Sequence, residues 1–318
     1  MNIAFCAQHS YWGGLGNNGG SRTIILSCET LRNLGHCADI VTHSDKYTWH
    51  KHLSPISHIP HNTDVCIACS VSDIEPMLAK MPKKAKAFWW CRLIENHQIP
   101  KAKIIKRAGM VRTLVNSESL QGWFKLYGVD TTVVYQGVDT AKWTDLGKHK
   151  PKTIGFLLSK KKRKNFPLVY SIIKHLDDSY EYVGYGASQD LDTTIKSIVH
   201  KRFSKFYANP SHEQLIEIYN TAKYWVATST KEGLHNPPIE AGLCGCILVC
   251  NGAMLGGTAD YCIHNETGYV YLNDNVIDVI KNIVLAKEYV VNPCKQLIRT
   301  KIQDRFQSMK HLVEVIND

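Results

Sequence analysis

The sequence predicts an α/β fold in two domains, each a sheet of parallel strands alternating with helices. Three observations carry this reading. Short, mostly apolar, β-prone runs recur at Asn2–Cys6, Ala38–Thr42, Thr63–Ser70, Ala87–Cys91 and Val111–Asn116. They recur again at Thr153–Leu158, Glu181–Gly184, Tyr224–Thr228 and Cys246–Cys250. Apolar on both faces, such runs suit buried parallel strands. Between them lie segments of helical period, such as Ser21–Leu34, where Ile24, Ile25, Cys28, Leu31 and Leu34 share a face. The chain has 318 residues, enough for two domains with separate cores.

In the first half, Ala7–Gly20 is a glycine-rich loop that opens the helix Ser21–Leu34, and Gly35 ends that helix. A strand, a glycine loop and a helix in this order let backbone approach a phosphate. The pattern is not the G-x-G-x-x-G of nicotinamide cofactors: further glycines precede the helix, and Asp39 begins the second strand rather than ending it. His43–Asn62 is polar and carries His50, His52, His58 and His61 at irregular spacings, so it reads as a solvated loop. Asp73–Met81 is a short helix, followed by the basic run Lys83, Lys84 and Lys86. Ser117 or Ser119 caps a helix over Leu120–Tyr127. Thr144–Pro151 is polar, contains Gly147 and reads as the linker, with the boundary near 148.

In the second half, Ser159–Phe166, SKKKRKNF, concentrates cations directly after a strand. Pro167–Leu176 and Asp190–His200 read as helices. Ser211 with Gln214 forms a capping-box signature ahead of the helix Glu213–Ala222. Ser229–Asn236 is a polar loop with Gly233 as a break. Pro237 and Pro238 suit the first turn of a helix that continues through Ile239–Gly242 and stops at Gly245. Asn251–Asp260 is a second glycine loop. Val276–Glu288 and Lys295–Ile316 have helical amphipathicity.

Composition narrows the classes. No run of 18 apolar residues occurs, which argues against a transmembrane helix, and MNIAFCAQHS lacks the features of a signal peptide. The 11 cysteines, mostly within apolar runs, suit free thiols in a reducing cytoplasm. Cys66 and Cys69 lie on a buried strand with no second pair, so they do not read as a metal site. The net charge of +10 favours an anionic partner: nucleotide phosphates, an anionic membrane surface or nucleic acid.

The chemistry concentrates on the loop after Tyr224–Thr228. Ligands of open α/β sheets bind outside the carboxyl ends of the strands, and a helix N-terminus suits a diphosphate. Glu232 lies at the strand edge and Glu240 in the first helical turn, with seven residues between them. An ionised carboxylate is a bidentate acceptor, so Glu240 suits a ribose diol. Glu232, with the backbone amides of Gly233, Leu234 and His235 and with Asn236, suits the hydroxyls of a second sugar. Two acids on a solvated loop are the plainer alternative; the double proline, the glycine and the apolar strand that follows favour a site.

The segment KEGLHNPPIEAGLCGCILV resembles the EGFGLPPLEAMACGTPVV-type segment of retaining glycosyltransferases of the GT-B fold, the sucrose-synthase-like family four. Its E-x7-E motif falls on Glu232 and Glu240. The Gly19-Gly20 pair followed by LRNLGHCADIVT is similar to the opening of that family, and VNSESLQGWFKLYGVDTTVVYQGVD to its later first-domain segment. The resemblance implies two Rossmann-like domains facing each other across a cleft. Residues 1–148 are then an acceptor domain, 149–294 a nucleotide-sugar domain, and 295–318 a helix packing back on the first. It implies that Gly19 and Gly20 lie against donor phosphates and that Glu240 holds the ribose. Glu232 contacts the donor sugar, and Lys164 neutralises the diphosphate, with Arg163 or Lys160 as the second charge. The sequence departs from the family where Phe156 stands at the usual arginine. It departs again where Cys91 and Arg92 stand near the usual histidine. FWWCRLIE resembles a WWxRxxE-like segment of a subset of the family, which implies that Arg92 and Glu95 are either a catalytic pair or a structural salt bridge.

The implied function is transfer of a sugar from a nucleotide diphosphate sugar, with neither cofactor nor metal. The acceptor is a glycan, a glycolipid or a hydroxymethylated base of viral DNA, with Trp89, Trp90 and Tyr11 against an exposed base. The basic runs also fit peripheral contact with an anionic inner membrane face, and the expected location is the cytoplasm. The alternative is a non-catalytic nucleotide- or nucleic-acid-binding protein on the same scaffold. Phosphorylase chemistry would need a pyridoxal-phosphate lysine context that the sequence lacks.

Overall fold

The computed structural model describes all residues except 8–13, 17, 49–53, 96–98 and 254–255. Tyr11, Gly13, His50 and His52 therefore lie outside the described residues, as does part of the loop at 251–260. The described chain divides into two compact units: Met1–Gly137 with Asp304–Asp318, and Val138–Gln303. Among the described residues each unit is built on a six-stranded sheet, and the strand pairs are parallel.

The first unit runs β1 (Asn2–Cys6), α1 (Gly19–Asn33), β2 (Cys37–Val41), β3 (Val65–Ala68), α2 (Ile74–Lys80) and β4 (Lys86–Cys91). It continues through α3 (Lys101–Ala108), β5 (Arg112–Val115), α4 (Glu118–Lys125) and β6 (Thr131–Val133). The sheet order β2-β1-β3-β4-β5-β6 places the switch of direction between β1 and β3. The Asn18 side chain accepts a hydrogen bond from the Ser21 amide at 3.0 Å. This cap explains why α1 begins at Gly19, two residues ahead of the sequence reading. Its far end closes with Gly35 at φ +86°, whose amide reaches the Arg32 carbonyl while that of His36 reaches Leu31. α4 is capped by Ser117, which accepts from the Leu120 amide.

The second unit runs β7 (Lys150–Leu157), α5 (Phe166–His175), β8 (Glu181–Gly186), α6 (Thr193–Arg202), β9 (Phe203–Ala208) and α7 (His212–Thr221). After these come β10 (Ala222–Ala227), α8 (Asn236–Leu243), β11 (Ile247–Asn251), β12 (Tyr269–Tyr271), α9 (Val276–Leu285) and α10 (Val291–Leu297). The order β12-β11-β10-β7-β8-β9 sets β7 beside β10 at the switch point. Segments 158–165 and 228–235, which follow those strands, are therefore neighbours at the carboxyl edge, where such sheets hold ligands. The core beneath contains Phe156, Ile172, Tyr182, Val226 and Val249. The phenyl ring of Phe156 packs there against Tyr182, at 6.2 Å between centroids. The capping box at Ser211 and Gln214 opens α7.

Three expectations are corrected. The boundary falls after Gly137, not near 148, because Thr144–Leu146 belongs to the second unit. Asn220 donates to the Thr144 carbonyl at 3.0 Å and accepts from the Leu146 amide at 2.6 Å, and Lys295 pairs with Asp145 at 2.6 Å. Lys295–Ile316 is not one helix. After α10 comes a π-helical turn, Ile298–Ile302, then a break at Gln303 with φ +67°, then α11 (Arg305–Asn317). Of these, α11 belongs to the first unit, where Met309, Leu312 and Ile316 are buried with Ile25, Cys28 and Trp90. Each such side chain contributes roughly 1.5–3 kcal/mol. The Lys86 ammonium reaches the carbonyls of Ile316 and Asn317, so this member of the basic run caps α11.

The third correction concerns Trp89 and Trp90. Both lie in β4 and are 1% exposed, with Trp89 edge-on to Phe124 and Trp90 donating to the Val134 carbonyl at 3.1 Å. A strand buried on both faces leaves neither indole for a nucleic-acid base.

Candidate functional site

At the β7–β10 edge, two chain segments are stitched together by backbone. The Thr230 amide donates to the Arg163 carbonyl at 2.8 Å, and the Thr228 hydroxyl donates to the Lys164 carbonyl at 2.9 Å. This fixes where the side chains of Arg163 and Lys164 start. Both run to the same carboxylate oxygen, Oε1 of Glu232, with the Lys164 ammonium at 2.5 Å. Burial pushes the Glu232 carboxyl up, but Lys164 and Arg163 outweigh it and hold the group at about 2. Burial lowers the Lys164 ammonium from its usual value, with Glu232 acting in the opposite sense. The arrangement is a partly buried pair of cations held by one internal anion, which offsets one of the two positive charges. Another anion of higher charge can compete for those cations. The neighbouring Lys161 is held instead by Asp190, at 2.9 Å.

The helix after this loop supplies the second carboxylate. His235 sits at the start of α8 in the left-handed region, φ +65°, a position that favours glycine. The Tyr261 hydroxyl donates to its carbonyl at 3.0 Å and holds the turn. The imidazole is buried, its Nε2 3.5 Å from the Ser229 hydroxyl, and burial lowers its pKa to about 3. It is therefore neutral at ordinary pH. Glu240 lies one turn into α8, buried, and its Oε2 accepts from the Tyr219 hydroxyl at 2.9 Å. Tyr219 in turn lies 2.8 Å from the hydroxyl of Tyr185. Leu234 is buried beneath the loop. Gly256, at φ +150°, faces the Glu232 carbonyl so closely that a Cβ would overlap it, and the Gly257 amide donates to the Gly233 carbonyl. The second glycine loop, at Gly256 and Gly257, thus clasps the Ser229–Asn236 loop.

In the first unit, Gly19 and Gly20 form the opening turn of α1, where helix amides lack internal partners. Arg92 donates to the Gly20 carbonyl at 2.5 Å and to the Cys69 carbonyl at 2.9 Å. Its guanidinium therefore ties the glycine turn to the end of β3. Glu95 accepts from the Val71 amide at 3.1 Å. Among the described residues no helix is long and apolar enough to cross a membrane, and no three His, Cys, Asp or Glu side chains gather as metal ligands.

Residues 139–299 match the family model described as glycosyl transferases group 1. The chain belongs to the group 1 glycosyl transferases. No curated protein matches it by sequence. Solved structures are similar in fold. HepE of Anabaena, in complex with UDP and glucose, aligns over 100% of both chains at TM-score 0.80 and 14% identity. The sucrose-phosphate synthase from Thermosynechococcus elongatus aligns over 100% of this chain and 98% of its own, at TM-score 0.79 and 14% identity. TarM of S. aureus aligns over 80% of this chain and 55% of its own, at TM-score 0.65 and 17% identity. The two Rossmann-like units are those of the GT-B fold.

As a group 1 glycosyl transferase, the chain carries its cation pair and both carboxylates within the matched segment. Arg163, Lys164 and Glu232 are in direct contact, as no spacing rule required. Nothing in the sequence singles out Tyr219, Tyr185 or Asp190. The period of α7 marks Tyr219 only as a core residue, and nothing local points its hydroxyl at Glu240.

Proposed function

We propose that the chain is a retaining glycosyltransferase whose C-terminal unit binds a nucleotide diphosphate sugar and passes the sugar to an acceptor hydroxyl on a saccharide or glycolipid. The observation that carries this is the pairing of Arg163 and Lys164 with Glu232 at the switch point of the second sheet. On binding, the donor diphosphate takes over the two cations. They then stabilise the charge that builds on the leaving nucleoside diphosphate as the glycosidic C–O bond breaks. The amides at the start of α8 add a positive dipole end. Glu232, released from the cations, orients the sugar and stabilises positive character at the anomeric carbon. The acceptor oxygen attacks from the face the diphosphate leaves, and a phosphate oxygen takes its proton. No protein nucleophile is needed. Glu240 holds the ribose diol as a bidentate acceptor. In the first unit, Arg92 acts by holding the Gly19–Gly20 turn in place for a phosphate. That HepE was solved with UDP and glucose supports UDP-glucose as the first donor to try.

The test is nucleotide release. UDP-, GDP-, ADP- and CDP-sugars are incubated with the protein, with and without simple glycoside acceptors. The reading predicts release from one donor, faster with acceptor, and a product of unchanged anomeric configuration by NMR. An inverted product sinks the retaining mechanism, and no release from any donor sinks the donor assignment.

A further inference from the structure

The phenol of Tyr219 is wholly buried in α7, and its hydroxyl lies between two oxygens: Oε2 of Glu240 at 2.9 Å and the hydroxyl of Tyr185 at 2.8 Å. A phenol has one proton to give. That of Tyr219 goes to the carboxylate, so Tyr185 donates to Tyr219, and the bonds run in one direction towards Glu240. Burial above all, then Tyr185 and Glu240, pushes the Tyr219 phenol well above its usual pKa, so it stays a donor at any working pH. The rings are locked. Tyr219 lies edge-on to Trp225 at 4.8 Å and to Trp143 at 5.6 Å, and Tyr185 stacks on Trp225 at 5.9 Å. Two hydroxyls in an aromatic core are costly unless they bond, and phenylalanine would fill the same space.

A glutamate's last torsion is broad, so an untethered carboxylate samples many planes. One bond from a rigid phenol selects among them. We propose that Tyr219, backed by Tyr185, is a positioning residue that sets the plane of the Glu240 carboxylate for the ribose diol of a nucleoside diphosphate. This rests on the ribose role given to Glu240 above. Its consequence is selectivity. A ribose that lacks the 2′-hydroxyl offers half the diol, so a well-set carboxylate discriminates against it.

The experiment titrates UDP and 2′-deoxy-UDP by calorimetry into the wild type, Tyr219→Phe, Tyr185→Phe and Glu240→Ala, with thermal denaturation of each. The wild type is expected to prefer UDP. Tyr219→Phe should weaken UDP about tenfold, as for loss of a bond to a charged group, and 2′-deoxy-UDP by less than about threefold. The preference then collapses although the protein remains folded. Tyr185→Phe should shift it the same way by less, and the loss in turnover assays should appear in KM more than in kcat. Adding Tyr219→Phe to Glu240→Ala should cost nothing further. Equal weakening of both nucleotides, or none, overturns the positioning role. A wild type without preference, or Glu240→Ala retaining it, overturns the ribose reading itself and the inference with it.

Discussion

The Nζ of Lys164 lies 2.5 Å from Oε1 of Glu232, and the two side chains are 11% and 12% exposed. Arg163 reaches the same oxygen. A carboxylate so held competes with any phosphate that needs those cations. Glu232→Gln keeps the shape and removes the competitor. We expect it to bind UDP more tightly than the wild type, by about tenfold if half of one charge-assisted bond is regained. Turnover should fall at least about a hundredfold, since the charge near the anomeric carbon is lost. Weaker UDP binding by this variant, measured by titration, would contradict the exchange of partners.

Lys164→Met removes one cation and retains most of the packing of the stem. Donor turnover, as kcat/KM, should fall by about 10² to 10³, the range for losing one stabilising group. The variant should also be less stable, because among the described residues Glu232 then keeps only Arg163 as an ion-pair partner in a desolvated place. Steady-state kinetics and a denaturation curve check the two effects separately.

Much of this was legible in the sequence because it is local. Strand runs, the glycine that ends α1, the capping box at Ser211 and the prolines of α8 each depend on a few neighbouring residues. Glu232, Glu240, Arg163 and Lys164 stand out by type and place. What remained hidden was non-local. The bond from Tyr219 to Glu240 joins α7 to α8, and Lys86 finds its carbonyls more than two hundred residues away. The helix α3, KAKIIKRA, is too short to show a period, and it buries Ile104 and Ala108 with the stem of Arg107. Trp89 and Trp90 looked available only because a sequence does not say that both faces of β4 are covered.

His235 gives the fold an acid limit. Its usual value of 6.5 falls to about 3, chiefly through burial, with Glu232 opposing and Lys164 and Arg163 adding. Between those values the unfolded chain binds a proton that the folded one does not. This contribution is therefore complete above about pH 6.5 and is lost as the pH falls towards 3. The slope approaches one proton, about 1.4 kcal/mol per pH unit. His235→Asn, which tolerates the left-handed backbone, should flatten the stability profile in that window. Equal profiles for both proteins in urea titrations at several pH values would rule this out.

Leu312 anchors α11 in the core of the first unit. Leu312→Ala should destabilise that unit by about 2–5 kcal/mol, as for a buried leucine that leaves a cavity. Chemical denaturation followed by tryptophan fluorescence reads this, because Trp90 belongs to the same core. A change below about 1 kcal/mol would mean that α11 is not held there in solution.

The most direct test of the central claim, that Arg163 and Lys164 serve a donor diphosphate, compares UDP with UMP. Ligand bound to the native state raises the melting temperature by mass action, so a thermal-shift series suffices. UDP should stabilise the wild type clearly more than UMP does, and Lys164→Met should narrow the gap. If UDP and UMP act alike on the wild type, or the gap survives in Lys164→Met, the cations at Glu232 are not the diphosphate site.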